Sequence, residues 1–227
     1  MILKTNLHFH TKKDDIGITY DIYKAVDYAK EQGFNVLAYT SHKKFKFKQE
    51  YADYASQKGI LLIPGIEVEI KRKHVVILNC EKEAEEIKTF EDLADYKRKN
   101  PQIFVIAPHP FVWNSKSLSS KLLANINLFD AIELTVFSNK IFNFNKKAQE
   151  VAEKYQKPLV ATSDTHFLKD FNRGYALINV EVPTSRESIF AAIRKGDFQN
   201  KLNSMNLFAM AEFQIKLIFY LIFNPTF

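Results

Sequence analysis

Cysteine is nearly absent: Cys80 stands alone among 227 residues, which excludes an internal disulfide. Met1-Ile2-Leu3-Lys4 lacks the apolar core of a secretory leader, so the reducing cytoplasm is the expected setting. No apolar run reaches the roughly 20 residues of a membrane span. The longest is Leu217-Ile218-Phe219-Tyr220-Leu221-Ile222-Phe223, preceded by Glu212, Gln214 and Lys216. It reads as a packed element or a contact with a partner or second copy rather than a transmembrane span. Internal repeats and low-complexity linkers are missing as well. With 46% hydrophobic residues, the expectation is one domain over residues 1–200 and an apolar C-terminal extension over 201–227. Lys and Arg outnumber Asp and Glu by 32 to 26, and the pI is about 9.1. That balance suits phosphate-bearing partners, nucleic acid among them, although scattered lysines more often form a solvated surface.

Histidine is scarce too, and what there is falls in a pattern. The six are His8, His10, His42, His74, His109 and His166. Runs that read as strands, Leu3–Leu7, Val36–Thr40, Ile103–Ala107 and Leu159–Thr162, come just before His8, His42, His109 and Asp164-Thr165-His166. In an alternating β/α protein the carboxyl ends of parallel strands share one rim, where functional groups gather. His8 and His10 are two apart, so an extended backbone aims both imidazoles the same way, about 7 Å apart along the strand, with Phe9 opposite. Two such nitrogens can share a metal ion, and two incidental histidines on an edge strand are the bland alternative. Asp164 and His166 repeat the i, i+2 spacing with a carboxylate and an imidazole. Pro108-His109-Pro110 holds its histidine on a stiff backbone.

The intervening chain supplies helices and further strands. Ile22, Ala25, Val26 and Ala29 make one apolar helical face closed by Gly33. Helices are also expected over Tyr51–Lys58, from Thr89 with Asp92 to Lys99, over Leu118–Leu128 and Lys146–Tyr155, and from a Thr184–Glu187 capping box to Gly196. Strands are expected at Ile60–Ile63, Ile66–Ile70, Val75–Leu78 and Ala131–Leu134, with Ala176–Val180 as the last. Glu67 and Glu69 share a face of their strand. A carboxylate there can bridge two metals, and an exposed polar edge fits Glu69 better than Glu67. Asp14 and Asp15 lie in the loop after His10, where either could ligate or simply serve the turn. Lys43–Lys48 interleaves lysine with phenylalanine, a rim loop able to meet phosphate.

His8-x-His10, Thr40-Ser41-His42, Gly65-Ile66-Glu67, His74, Pro108-His109-Pro110 and Ser163-Asp164-Thr165-His166, in this order and spacing over residues 2–196, resemble the PHP (polymerase and histidinol phosphatase) family of metal-dependent phosphoesterases. The resemblance implies an α/β fold, a distorted (β/α)7 barrel with a trinuclear metal site at the carboxyl ends of its strands. It implies one metal on His8, His10, Glu67 and Asp164, a second on Glu67, His74 and His109, and a third on Asp15, His42 and His166. Two to three divalent ions, zinc, manganese or iron, would activate a water to hydrolyse a phosphate ester of a small metabolite or nucleotide, with Glu67, Asp164 and His166 at the reacting centre. Arg173 and Lys44, or Lys43, are candidates for holding the substrate phosphate, with ordinary surface charge as their alternative. The family often has an aspartate where Ser41 stands, so His42 is expected to lose some support. A non-catalytic metal-binding module that docks a partner or nucleic acid is the competing reading.

Overall fold

The apolar run leading to the His-x-His pair forms β1 (Ile2–Phe9), the strand on which the sheet of this computed structural model is built. The structure describes residues 1–215 apart from 13, 15, 16, 182, 183 and 214. Strands β2 (Val36–His42), β3 (Leu61–Ile70), β4 (Lys73–Leu78), β5 (Phe104–Ala107), β6 (Ala131–Leu134) and β7 (Leu159–Ala161) follow β1 side by side in chain order, and β8 (Gly174–Asn179) and β9 (Phe198–Leu202) extend the other edge of β1. Pairing is parallel except around β4 and along β8 and β9.

The sheet curls until its ends nearly meet. Beyond β7, Thr165 bridges Phe9 in parallel fashion, and its carbonyl accepts the His10 N–H at 3.3 Å. Lower down, the Asn200 side chain stands in for a strand backbone, accepting the Ala161 N–H at 2.8 Å and donating to the Leu159 carbonyl at 2.7 Å. Gly174 lies at this seam, where any Cβ would collide with the Thr162 carbonyl. The result is the expected barrel, nearly closed over its seven chain-ordered strands.

Helix α1 (Ile22–Glu31) buries the four residues its periodicity picks out, is capped by Asp21 accepting the Lys24 N–H, and is followed by Gly33 at φ +77°. Helix α2 (Gln49–Gln57) packs beside it. Helix α3 (Phe90–Lys99) carries the Thr89/Asp92 capping box, and α4 (Ser120–Ala124) and α5 (Phe144–Lys154) cover the far side. Helix α6 (Arg186–Lys195) starts from a Ser185/Ser188 capping box, one residue beyond the expected Thr184–Glu187 pair, and ends at Gly196 with φ +81°. It closes the barrel end away from the histidines: Phe190 stacks on Phe104 at 4.8 Å, and Arg194 reaches Asp130, just before β6.

Two further departures from the sequence reading have local causes. The strands expected at Ile60–Ile63 and Ile66–Ile70 are one, because β3 runs straight through Pro64 and Gly65. Pro64 pairs with Tyr39 and its carbonyl accepts the Asn79 N–H at 2.7 Å, while a Cβ at Gly65 would stand 2.9 Å from Leu78 Cδ2 and 3.1 Å from the Tyr39 carbonyl. This Pro-Gly marks a close approach inside a sheet. And Ala176–Val180 does not lead the last strand, since β9 follows; its sequence, FQNKL, carries too little apolar alternation to announce it. Cys80, two residues after β4, is fully buried and donates its thiol to the Ile77 carbonyl, and burial pushes its pKa far up. Native protein should therefore leave a disulfide thiol reagent unreacted until denaturant is added; stoichiometric labelling of folded protein would contradict this burial.

Candidate metal centre

All six histidines, with Glu67 and Asp164, meet at one end of the barrel. β1 contributes His8 and His10. Its pairing with β2 shifts between Asn6 and Phe9. Leu3 and Leu7 pack in the core cluster beneath α6, whereas Phe9 belongs to the cluster under α1. That irregularity turns His8 and His10 to the inner side and leaves Phe9 outside. His42 is the last residue of β2, and Glu67 lies in the long strand β3. β4 runs antiparallel, so its beginning, where His74 sits opposite Glu69, reaches the rim that parallel strands reach with their ends. His109 follows β5 at φ +31°, and Asp164 follows β7 at φ +44°. Backbone this costly for residues other than glycine is held by its surroundings. The His109 N–H donates to Glu133 at 3.1 Å and its carbonyl accepts the Ser117 hydroxyl at 2.8 Å.

Glu67 is the hinge of the cluster. Its Oε2 lies 3.5 Å from His8 Nε2, 3.4 Å from His10 Nε2 and 3.2 Å from His42 Nε2. Its Oε1 lies 2.9 Å from His74 Nδ1 and 3.4 Å from His109 Nε2. Asp164 Oδ1 is 3.1 Å from His10 Nε2 and 3.6 Å from His8 Nε2. Among the described residues, three groups of donor atoms are close enough to hold an ion: His8, His10 and Asp164; His42, Glu67 and His74; and His10, His42 and His166. Buried Glu67 Oε1, His74 Nδ1, His10 Nδ1 and His109 Nδ1 make no hydrogen bond. Glu67 Oε1 and His74 Nδ1, 2.9 Å apart with no hydrogen bond, fit ligands converging on a cation.

The electrostatics fit the same picture. Burial alone would raise the Glu67 carboxyl, but the imidazoles of His74, His42 and His8 hold it well below the usual carboxylate range. Burial acts likewise on Asp164, and His8, His10 and His166 overcome it. Burial would lower His8, yet Asp164, Glu67 and Glu133 raise it well above an ordinary imidazole. His109 is raised for a similar reason, with Glu67 foremost among its carboxylates. Positive charge is what these carboxylates call for.

One participant escaped the sequence reading. Glu133, on β6 and fully buried, places Oε2 2.8 Å from His8 Nδ1 while Oε1 accepts the His109 N–H. It holds the His8 ring with Nε2 turned to the cluster and braces the loop that carries His109. A charged residue inside Ala131–Leu134, at a strand end, was the available signal. Ser41, where the family often has aspartate, donates to the Lys44 carbonyl at 2.7 Å and accepts the Lys46 N–H at 3.1 Å, so it shapes the turn just beyond His42.

The remaining candidates are placed elsewhere. Asp14 accepts from the Thr11 N–H and hydroxyl and from the Tyr39 hydroxyl, and pairs with Lys46. Asp15 lies outside the described residues. Arg173 pairs with Asp170 at 2.5 Å, and Lys44 faces Glu85 at 3.5 Å; neither lines the cavity of about 310 Å³ above the cluster. The walls of that cavity are Val112, Asn114, Lys116, Phe137 and Phe213. Lys116 is held by Glu69 at 2.6 Å, and Lys43 approaches the same carboxylate at 3.5 Å.

A family model described as PHP-associated matches residues 142–198, the stretch that includes Asp164 and His166. None of the curated proteins matches the sequence. Among solved structures, the chain is similar to a two-domain protein from Bacteroides vulgatus containing a predicted PHP-like metal-dependent phosphoesterase, with 17% identity, a TM-score of 0.69, and coverage of 89% of this chain and 65% of that one. It is similar to PsfC from Pseudomonas syringae, with 16% identity, a TM-score of 0.65, and coverage of 98% and 99%. It is also similar to the lesion-specific endonuclease PfuEndoQ from Pyrococcus furiosus, with 18% identity, a TM-score of 0.62, and coverage of 88% and 57%. The chain thus spans less than two thirds of the Bacteroides and Pyrococcus proteins.

Proposed function

We propose, from a chain that has the PHP fold and carries a PHP-associated segment over residues 142–198, that it is a metal-dependent hydrolase of a small phosphate ester. The observation that supports this most directly is Glu67, whose two oxygens face two different sets of imidazoles. His8, His10, Glu67 and Asp164 would hold one ion, and Glu67, His74 and His109 a second. His42 and His166, with Asp15 from the family resemblance, would hold a third. Imidazole and carboxylate together favour zinc, manganese or iron over calcium and magnesium. Divalent ions in such a site lower the pKa of a bound water and neutralise phosphoryl charge.

The protein's own groups prepare the rest. The Glu133 contact at His8 Nδ1 leaves Nε2 to ligate, and the contact of His166 Nδ1 with the Asp164 carbonyl at 2.9 Å does the same for the His166 ring. Among the described residues that line the cavity, Lys116 is the cation, and it is suited to attract a phosphate. A volume of about 310 Å³ supports a small ester over a polymer. Protein loaded with manganese should hydrolyse members of a panel of phosphate mono- and diesters, Asp164→Asn should be inactive on the same panel, and elemental analysis of wild type should find at least two transition-metal ions. Wild type that cannot be loaded with metal would overturn the site, and loaded wild type inactive on every ester would overturn the reaction.

A further inference from the structure

The segment after β9 returns across the mouth of the cavity. The Asn203 N–H donates to the Arg173 carbonyl at 2.6 Å and the Met205 N–H to the Val136 carbonyl at 2.8 Å, with Met205 buried. Residues 207–213 are helical. Asn139 meets Met210 Sδ at 3.0 Å, and Glu212 pairs with Lys169 at 2.8 Å. These ties deliver Phe213 to the cavity. Its ring stands edge-on to His166 at 5.5 Å, to Phe137 at 5.1 Å and to Phe167 at 5.8 Å. Phe213 and Phe137 are half-buried and both line the space above the metal cluster.

A phosphate ester has two ends. If its phosphoryl group lies on the floor among His74, His109 and Asp164, the alcohol portion must point toward the walls. One wall is an aromatic corner, Phe137 and Phe213, continued by Val112. An aliphatic polyol there would lose water without gaining a partner, whereas a planar ring gains apolar burial and edge-to-face contact. The geometry points to an ester whose alcohol carries a planar aromatic ring, an aryl group or a nucleobase, with the C-terminal segment supplying its specificity wall through Phe213. This narrowing rests on the phosphoesterase reading for the word ester, but the wall itself is tested without turnover.

Phosphonates bind without being hydrolysed, so metal-loaded full-length protein is titrated calorimetrically with phenylphosphonate and methylphosphonate. Wild type should bind the phenyl compound about tenfold more tightly. Phe213→Ala should remove most of that preference while leaving methylphosphonate affinity unchanged, Phe137→Ala should weaken it, and Phe213→Tyr should preserve it. Equal affinity of wild type for both probes, a preference that survives Phe213→Ala, or an equal loss for both probes in Phe213→Ala would each overturn the proposal. A Phe213-dependent preference in a protein that hydrolyses no ester would leave the wall standing and remove only the phosphoesterase reading.

Discussion

Glu67→Gln should lower turnover on any phosphate ester the protein accepts by on the order of 10³-fold, while the fold survives. The substitution keeps the shape of the side chain and removes what its position uses. Oε2 faces His8, His10 and His42, and Oε1 faces His74 and His109. An amide has one good acceptor oxygen, and its NH₂ would point donors at one of the two groups. It also brings no charge to a place where positive charge is already strong enough to hold the carboxyl well below its usual range. Elemental analysis should find less metal in the variant, while circular dichroism should stay that of wild type. Glu69→Gln is the comparison. Glu69 shares the strand and the face, but its carboxylate is spent on Lys116 and Lys43 at the edge of the cavity. It should change KM a few-fold through Lys116 and leave kcat alone. Equal losses of kcat in the two variants would show the ligand assignment along β3 to be wrong.

Glu133→Gln should weaken metal retention by about 10- to 100-fold although Glu133 touches the metal cluster only through its neighbours. Its two oxygens serve His8 Nδ1 at 2.8 Å and the His109 N–H at 3.1 Å. Glutamine can keep one of these and must present an NH₂ to the other, so either the His8 tautomer or the His109 loop is released. Glu133→Ala goes further. It leaves both donors buried without an acceptor, which should cost roughly 3–5 kcal/mol of stability. Competition with a chelator measures the first effect and thermal melts measure the second. Metal retention unchanged in Glu133→Gln would mean that the carboxylate is merely structural. Because Glu133→Gln is nearly isosteric, it separates loss of orientation from loss of packing.

How far the centre was legible from the chain depends on the range of the forces involved. His8 with His10, and Asp164 with His166, could be read because an i, i+2 spacing at a strand end needs only the backbone's own period. The capping residue Thr89 and the glycines after α1 and α6 could be read because a helix end is satisfied within a few residues. Glu67 was preferred to Glu69 as the less exposed of the two, but β3 runs unbroken through both, and the double-faced contact of Glu67 appears only when β1, β2, β4 and the loop after β5 stand around it.

Thus the amino-acid order by itself determined which donor types exist, how they are spaced, and that they arrive at strand ends, since these follow from local geometry and composition. The tertiary structure alone decided the rest. The irregularity in the β1–β2 register turns His8 and His10 inward, and antiparallel β4 carries His74 to the same rim. Glu133 finds His8 across 125 positions in the chain. Arg173 and Lys44 are drawn to Asp170 and Glu85, away from the cavity, while Lys116 is held beside it. Phe213 reaches His166 only because backbone hydrogen bonds to Arg173 and Val136 bring the segment back. Apart from the Arg173–Asp170 pair, three residues apart, each of these depends on a partner distant in the chain, so its identity is a property of the packed barrel and is carried by no window of neighbouring residues.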